Sequence, residues 1–181
     1  MSRINIPTRD GAPSASHDVL DEIDRKFGVI PNLFRLLAVS PRVLEGYAQL
    51  NASLAGAFTP KIREQVAIAV AEVNGCDYCL SAHSYLGSNL AGLSGEDIAL
   101  NRKGSAADPK TAAIVRFATL VAEKRGRVSN EDLAAAVAAG LQESEMVDVV
   151  ALVAENVLTN FVNNVAQTDI DFPVVKVSRA A

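Results

Sequence analysis

After residue 16 apolar positions recur at spacings of three and four along almost the whole chain, and nowhere do β-branched residues alternate long enough to suggest a strand. The pattern predicts an all-α protein. A first helix is read over Ser16 to Phe27, with Val19, Leu20, Ile23 and Phe27 as its apolar stripe and Gly28 as its stop. Pro31-Asn32 opens a short helix through Leu37, and Ser40-Pro41 reads as an N-cap with proline at the first helical position, starting a helix to about Leu54. Thr59-Pro60 repeats that device before KIREQVAIAVAEVN, which Gly75 ends by taking the left-handed conformation. A helix from Cys76 to about Ala91 follows. Ser94-Gly-Glu-Asp97 has the order of a capping box, and Asp108-Pro109 opens a helix that carries Ile114, Phe117, Ala118 and Val121 toward the core. Ser129 starts an alanine-rich helix ending at Gly140. The last helix, from about Ser144 to Val165, sets Val147, Val150, Ala151, Ala154, Leu158, Phe161, Val162 and Val165 on a broad apolar face.

This reading divides the chain into an extended segment over 1–15, one helical domain over 16–166 and an extended tail over 167–181. The apolar part of the tail, Phe172 to Val177, is expected to lie along the body or across a neighbouring subunit, with disorder as the alternative. A length of 181 residues with 49% hydrophobic content suffices for one substantial core. The net charge of −4, with no basic cluster longer than Lys124-Arg125, gives no footprint for nucleic acid or an anionic membrane surface and favours a small-molecule partner. MSRINIPTRDGAPSAS lacks the apolar run of a secretory signal, and no later run approaches the ~18 residues that cross a bilayer. The expected location is therefore cytoplasmic, where a permanent disulfide is disfavoured and a Cys-x-x-Cys pair calls for a catalytic or metal-binding explanation.

That pair stands in NGCDYCLSAHSYLG, residues 74 to 87, which holds both cysteines and one of the two histidines. On a helix begun at Cys76, Cys79 and His83 follow at three and seven positions and share its face, with both thiols in the first turn, where free N–H groups and the macrodipole favour the thiolate. Glu64 is the candidate partner of His83. It lies on a face of the preceding helix that is otherwise small or apolar, about 16 Å before the Asn74-Gly75 bend, while His83 lies about 12 Å after it at a rise of ~1.5 Å per residue. Glu72 is the competing carboxylate, nearer the bend.

The order Glu64-x11-Cys76-x-Tyr78-Cys79-x3-His83 resembles the active-site pattern of the alkylhydroperoxidase D-like group within the carboxymuconolactone decarboxylase family. The likeness extends through residues 31–54 and 59–87, and less diagnostically into VLTNFVNNVAQTDIDFP at 157–173. The resemblance implies an all-helical, homo-oligomeric fold built around an antiparallel helix hairpin that carries the CxxC motif. It also implies a thiol peroxidase without a cofactor, in which Cys79 attacks a hydroperoxide, Cys76 resolves the oxidised sulfur, Glu64 and His83 relay protons, and an external dithiol restores the pair. One position departs: alkylhydroperoxidase D has a histidine between its cysteines, where this chain has Tyr78. Decarboxylases of the family lack the cysteine pair, which argues against that reaction.

Three other readings stay open. A dithiol sensor or disulfide-exchange protein needs the same activated cysteine without fast peroxide turnover. A structural zinc site has an acceptable ligand set in Cys76, Cys79, His83 and Glu64, although three of these span about 10 Å of helix axis. The last is two buried thiols beside a core histidine and a satisfied carboxylate. Elsewhere His17 is read as exposed, Arg63 as a surface residue, Tyr78 and Tyr85 as groups that either flank the site or pack, and Asn160, Asn163 and Asn164 as hydrogen-bonding groups between helices or subunits rather than catalytic ones.

Overall fold

The structure, a computed structural model, describes residues 2–178; Met1 of the expected N-terminal segment and the last three positions of the expected tail lie outside the described residues. Among the described residues the regular elements are all helical: a 3₁₀ turn at Ser14–Ser16 and helices α1 His17–Phe27, α2 Asn32–Leu37, α3 Pro41–Leu54, α4 Pro60–Val73, α5 Asp77–Leu90, α6 Gly95–Asn101, α7 Pro109–Glu123, α8 Asn130–Ala138 and α9 Glu143–Ala166. No helix among them is long and apolar enough to cross a membrane.

Local chemistry explains where these helices start. The Thr59 hydroxyl accepts from the Ile62 amide at 3.3 Å, and the Asp108 carboxylate accepts from the Thr111 amide at 2.9 Å; each precedes a proline whose missing N–H costs nothing at the first helical position. Ser94 with Asp97 and Ser129 with Asp132 form reciprocal capping boxes. Ser40 occupies the cap position before Pro41, but its side chain makes no capping bond, so proline geometry starts α3 without that bond. Gly75, at φ +65°, turns the chain out of α4.

α4 is the central rod. Every residue from Gln65 to Glu72 is buried, as expected of a helix enclosed on all sides, and it packs against α5, α6, α7 and α9. On one side Val66 and Val70 join Ile114, Val115 and Phe117 of α7 and Val149, Leu152 and Val153 of α9. On another, Ile68 and Ala71 join Cys76, Cys79 and Leu80. Each fully buried Ile or Leu contributes on the order of 1.5–3 kcal/mol, so α4 is held by both clusters at once.

The tail lies along the body. Ser81 Oγ donates to the Val175 carbonyl at 3.2 Å and accepts from its amide at 2.9 Å. The Val177 amide donates to Asp77, and the Ser178 amide to Glu72 at 2.6 Å. Phe172 meets Tyr78 edge-on at 5.9 Å between ring centres, and Phe172, Val175 and Val177 pack on the cluster containing Cys76. These bonds satisfy backbone groups that an unanchored tail would leave to water.

α9 is turned opposite to the usual amphipathic rule. Most of the stripe read from the sequence is its solvent face: Val147 and Val165 are 68% and 65% exposed, Phe161 is 54% exposed, and Val150, Ala154 and Leu158 are exposed beside them, whereas Ala151 is half-buried and Val162 packs inward as expected. The face turned inward carries Val149, Leu152 and Val153, but also Glu155, Asn156, Thr159, Asn160 and Asn163, all buried.

Candidate active site

Gly75 and the extended backbone of Cys76 set the site. Cys76 is not the first residue of α5 but its N-cap, with φ −102° and ψ 95°, and its sulfur accepts from the Cys79 amide at 3.4 Å. The expectation of two thiols inside the first turn is corrected accordingly. Cys79 alone lies in that turn, and Cys76 takes the place normally held by a capping oxygen because its left-handed glycine neighbour swings it outside the helix. Both cysteines are free and buried.

The geometry brings the sequence candidates together. Nδ1 of His83 lies 2.8 Å from Oε2 of Glu64, linking the second turn of α5 to the second turn of α4 across the bend. His83 and Glu64 are the partly exposed edge of the site, with side chains 25% and 22% accessible, whereas Cys79 is 2% accessible. Glu72 has a different task. It is buried in an ion pair with Arg102 at 2.8 Å and holds the tail, at the other end of α4.

Electrostatics separate the two thiols. Cys79 is drawn down to about 6, first by the hydrogen bond with Cys76 and, against the cost of burial, by the charge of His83 and the amides of Asn163 and Asn160. Cys76 moves up, because its proton is held by the Cys79 anion and because it is buried. Burial alone would lower the His83 pKa; the charge and hydrogen bond of Glu64, with the charges of Cys79 and Glu155, outweigh it and raise the value. The arrangement thus favours one thiolate, one thiol and an imidazolium paired with a carboxylate.

The sequence reading passed over several contributors. Asn163 Nδ2 donates to Cys79 Sγ at 3.2 Å, so this asparagine touches the Cys79 sulfur, where a hydrogen bond between helices or subunits was expected. Glu155, buried on the same helix, accepts from Asn51 Nδ2 at 2.6 Å and stands 4.0 Å from Arg63, which is therefore largely buried rather than on the surface. The available signal was positional: Glu155, Asn160 and Asn163 fall opposite the aliphatic stripe of α9, as polar groups do when the partner across the helix is also polar. His17 is half-buried, with Nε2 3.1 Å from the Ala12 carbonyl and Nδ1 beside Arg9, where exposure was expected. Tyr78 is buried and its hydroxyl accepts from the Leu33 amide at 3.0 Å; Tyr85 is 44% exposed and packs on Phe172. Among the described residues no three His, Cys, Asp or Glu side chains are grouped so as to hold a metal ion.

Comparison with known proteins agrees with this architecture. Residues 41–123, from the start of α3 to the end of α7, match the carboxymuconolactone decarboxylase family. The fold is similar to that of the alkylhydroperoxidase AhpD core of an uncharacterized peroxidase-related protein from Ralstonia eutropha JMP134, with a TM-score of 0.82 and 24% identity over 94% of this chain and 92% of that one. A peroxidase-related protein from Silicibacter sp. TM1040 aligns with a TM-score of 0.78 and 20% identity, over 93% and 91% of the two chains. The debrominase Bmp8 in complex with 2,3,4-tribromopyrrole aligns with a TM-score of 0.78 and 14% identity, over 94% of each chain. No curated protein matches the sequence. The chain thus carries a segment similar to the carboxymuconolactone decarboxylase family, within a fold similar to that of AhpD-like peroxidase-related proteins.

Proposed function

We propose that this protein is a thiol-dependent peroxidase that reduces hydroperoxides through Cys79 and Cys76. The observation that carries the reading is one acidic thiol, Cys79, set between a protonated neighbour, Cys76, and an imidazole held by Glu64. The Cys79 thiolate attacks the terminal peroxide oxygen; the S–O bond forms as the O–O bond breaks, and the departing alkoxide takes its proton from His83. Cys79 is then a sulfenic acid. The thiol of Cys76 attacks that sulfur, forms the disulfide and releases water, with Glu64 and His83 handling the proton. An external dithiol reduces the disulfide by exchange, which the reducing cytoplasm can sustain. Reduced protein mixed rapidly with tert-butyl hydroperoxide tests this reading: it should lose both thiols, and Cys79→Ser should leave the hydroperoxide unconsumed.

A dithiol sensor is the second reading, favoured over an exchange protein by the burial of both sulfurs, which hinders access of a second dithiol. Oxidation of the pair without turnover when a small dithiol is supplied would select it. The solvent-facing aliphatic stripe of α9 supports assembly of the chain as a homo-oligomer.

A further inference from the structure

α9 brings polar groups into the one face of a long helix where apolar side chains would ordinarily stand; one of them, Asn163, ends at the sulfur of Cys79, and Asn160 acts on the same sulfur from one turn away. Asn163 is 2% accessible, and its Nδ2 donates to Cys79 Sγ at 3.2 Å while its Oδ1 is buried without a hydrogen-bond partner. Asn160 is fully buried one turn earlier. Its Oδ1 accepts from Asn74 Nδ2 at 2.8 Å, which fixes the amide so that Nδ2 is left inside, buried and without a partner of its own. Asn74 is the C-cap of α4, two residues before Cys76, so the loop that places the dithiol also sets the orientation of Asn160. Asn164, the next residue outward, donates to the Asn74 carbonyl at 3.0 Å and fastens the same loop to α9.

An orphaned buried donor is costly, and is tolerated where a second state of the site supplies the acceptor. A neutral thiol is a weak acceptor. A thiolate is a strong one, and a sulfenate adds an oxygen to the same position. We propose that Asn163 and Asn160 form a two-donor site on α9 that holds the anionic sulfur of Cys79 and, once that sulfur is oxidised, its new oxygen. Asn163 supplies the bond to sulfur. Asn160 supplies the second donor, near enough to favour the anion but without a hydrogen bond of its own in this structure. The oxygen-holding half rests on the peroxidase reading; the sulfur-holding half does not.

The titratable groups around this sulfur are Cys76 and His83, with Tyr47 and Tyr78 within electrostatic reach. Asn163→Leu is a clean substitution, because Oδ1 has no bond to lose and only the donor to sulfur disappears. Asn163→Ala removes the same donor without the branch and serves if the leucine variant does not fold. The rate of alkylation of the reduced full-length protein by iodoacetamide is measured against pH, with thiolate absorbance followed in parallel. The variants should be about fivefold slower than the parent near pH 6 and about tenfold slower well below it, with the rates converging by about pH 9, a one-unit rise in the half-ionisation point. In a Cys76→Ser background, Asn160→Leu should shorten the lifetime of the dimedone-trappable sulfenic acid severalfold. An unchanged half-ionisation point, or slowing by the same factor at every pH, overturns the sulfur-holding role. An unchanged sulfenic acid lifetime overturns the oxygen-holding role. A shifted alkylation profile in a protein that leaves hydroperoxide untouched keeps the amide site and removes the peroxidase reading.

Discussion

His83 Nδ1 and Glu64 Oε2 stand 2.8 Å apart, each on its own helix, and the bond between them closes the turn at Gly75 over the buried pair of cysteines. Glu64 thereby holds one ring nitrogen of the imidazole and leaves the other free of that carboxylate. Glu64→Gln keeps the shape and removes the charge. His83 then loses the interaction that offsets its burial, its pKa falls, and hydroperoxide reduction should drop about 10²-fold in stopped-flow kinetics, with a smaller effect on alkylation of Cys79.

The pH profile follows from two shifts of opposite kind. Cys79 is lowered to about 6, so its thiolate, and with it the rate of attack, rises as pH passes upward through about 6 and is lost below it. His83 is raised, so the imidazolium that protonates the departing oxygen persists above the ordinary histidine range and is lost only at higher pH. The peroxidase rate should therefore be bell-shaped, whereas alkylation, which has no leaving oxygen to protonate, should rise once and stay high. Glu64→Gln should shift the alkaline limb toward lower pH. A peroxidase rate that climbs steadily through pH 9 would remove His83 as the acid.

Gly104 offers a test of the fold apart from the chemistry. It sits at φ +73°, and a Cβ there would lie 2.9 Å from Thr119 Oγ1, whose side chain is already committed to the Val115 carbonyl at 2.8 Å. Gly104→Ala combines a left-handed strain with a clash against a buried side chain, and should cost about 2–3 kcal/mol in denaturant unfolding while leaving alkylation of Cys79 unchanged in the folded fraction.

The exposed stripe of α9 makes a prediction about assembly. Leu158→Lys and Phe161→Glu place charges on positions that make no part of the packed interior, so neither should lower helix content. Sedimentation velocity should show the parent chain as an oligomer and the double variant as a monomer. A parent that sediments as a monomer at the same concentration would dissociate the stripe from self-association.

The sequence made most helices legible because their boundaries are written in local chemistry: Thr59-Pro60, Asp108-Pro109, Ser94 with Asp97, and Gly75 each act within four residues of themselves. Glu64 and His83 were legible for a similar reason, since one tight bend between two rods converts spacing into register. Cys76 was misplaced by a single position, from helix to cap, because only the backbone angles distinguish a first turn from the residue before it. α9 could not be oriented from its own pattern. An apolar stripe shows that something covers it but not whether the cover is this chain, and the polar residues behind it make sense only against the sulfur of Cys79 and the amide of Asn74, 84 and 86 positions away. Long-range pairing of that kind has no local signature.

The most direct test is single-turnover oxidation of the reduced protein by one equivalent of alkyl hydroperoxide, with thiols counted and peroxide loss followed together in the parent, Cys79→Ser and Cys76→Ser. The parent should lose two thiols for the first hydroperoxide reduced, Cys76→Ser should stop at a trappable sulfenic acid after one, and Cys79→Ser should do nothing. Loss of hydroperoxide at the parental rate in Cys79→Ser would contradict the account.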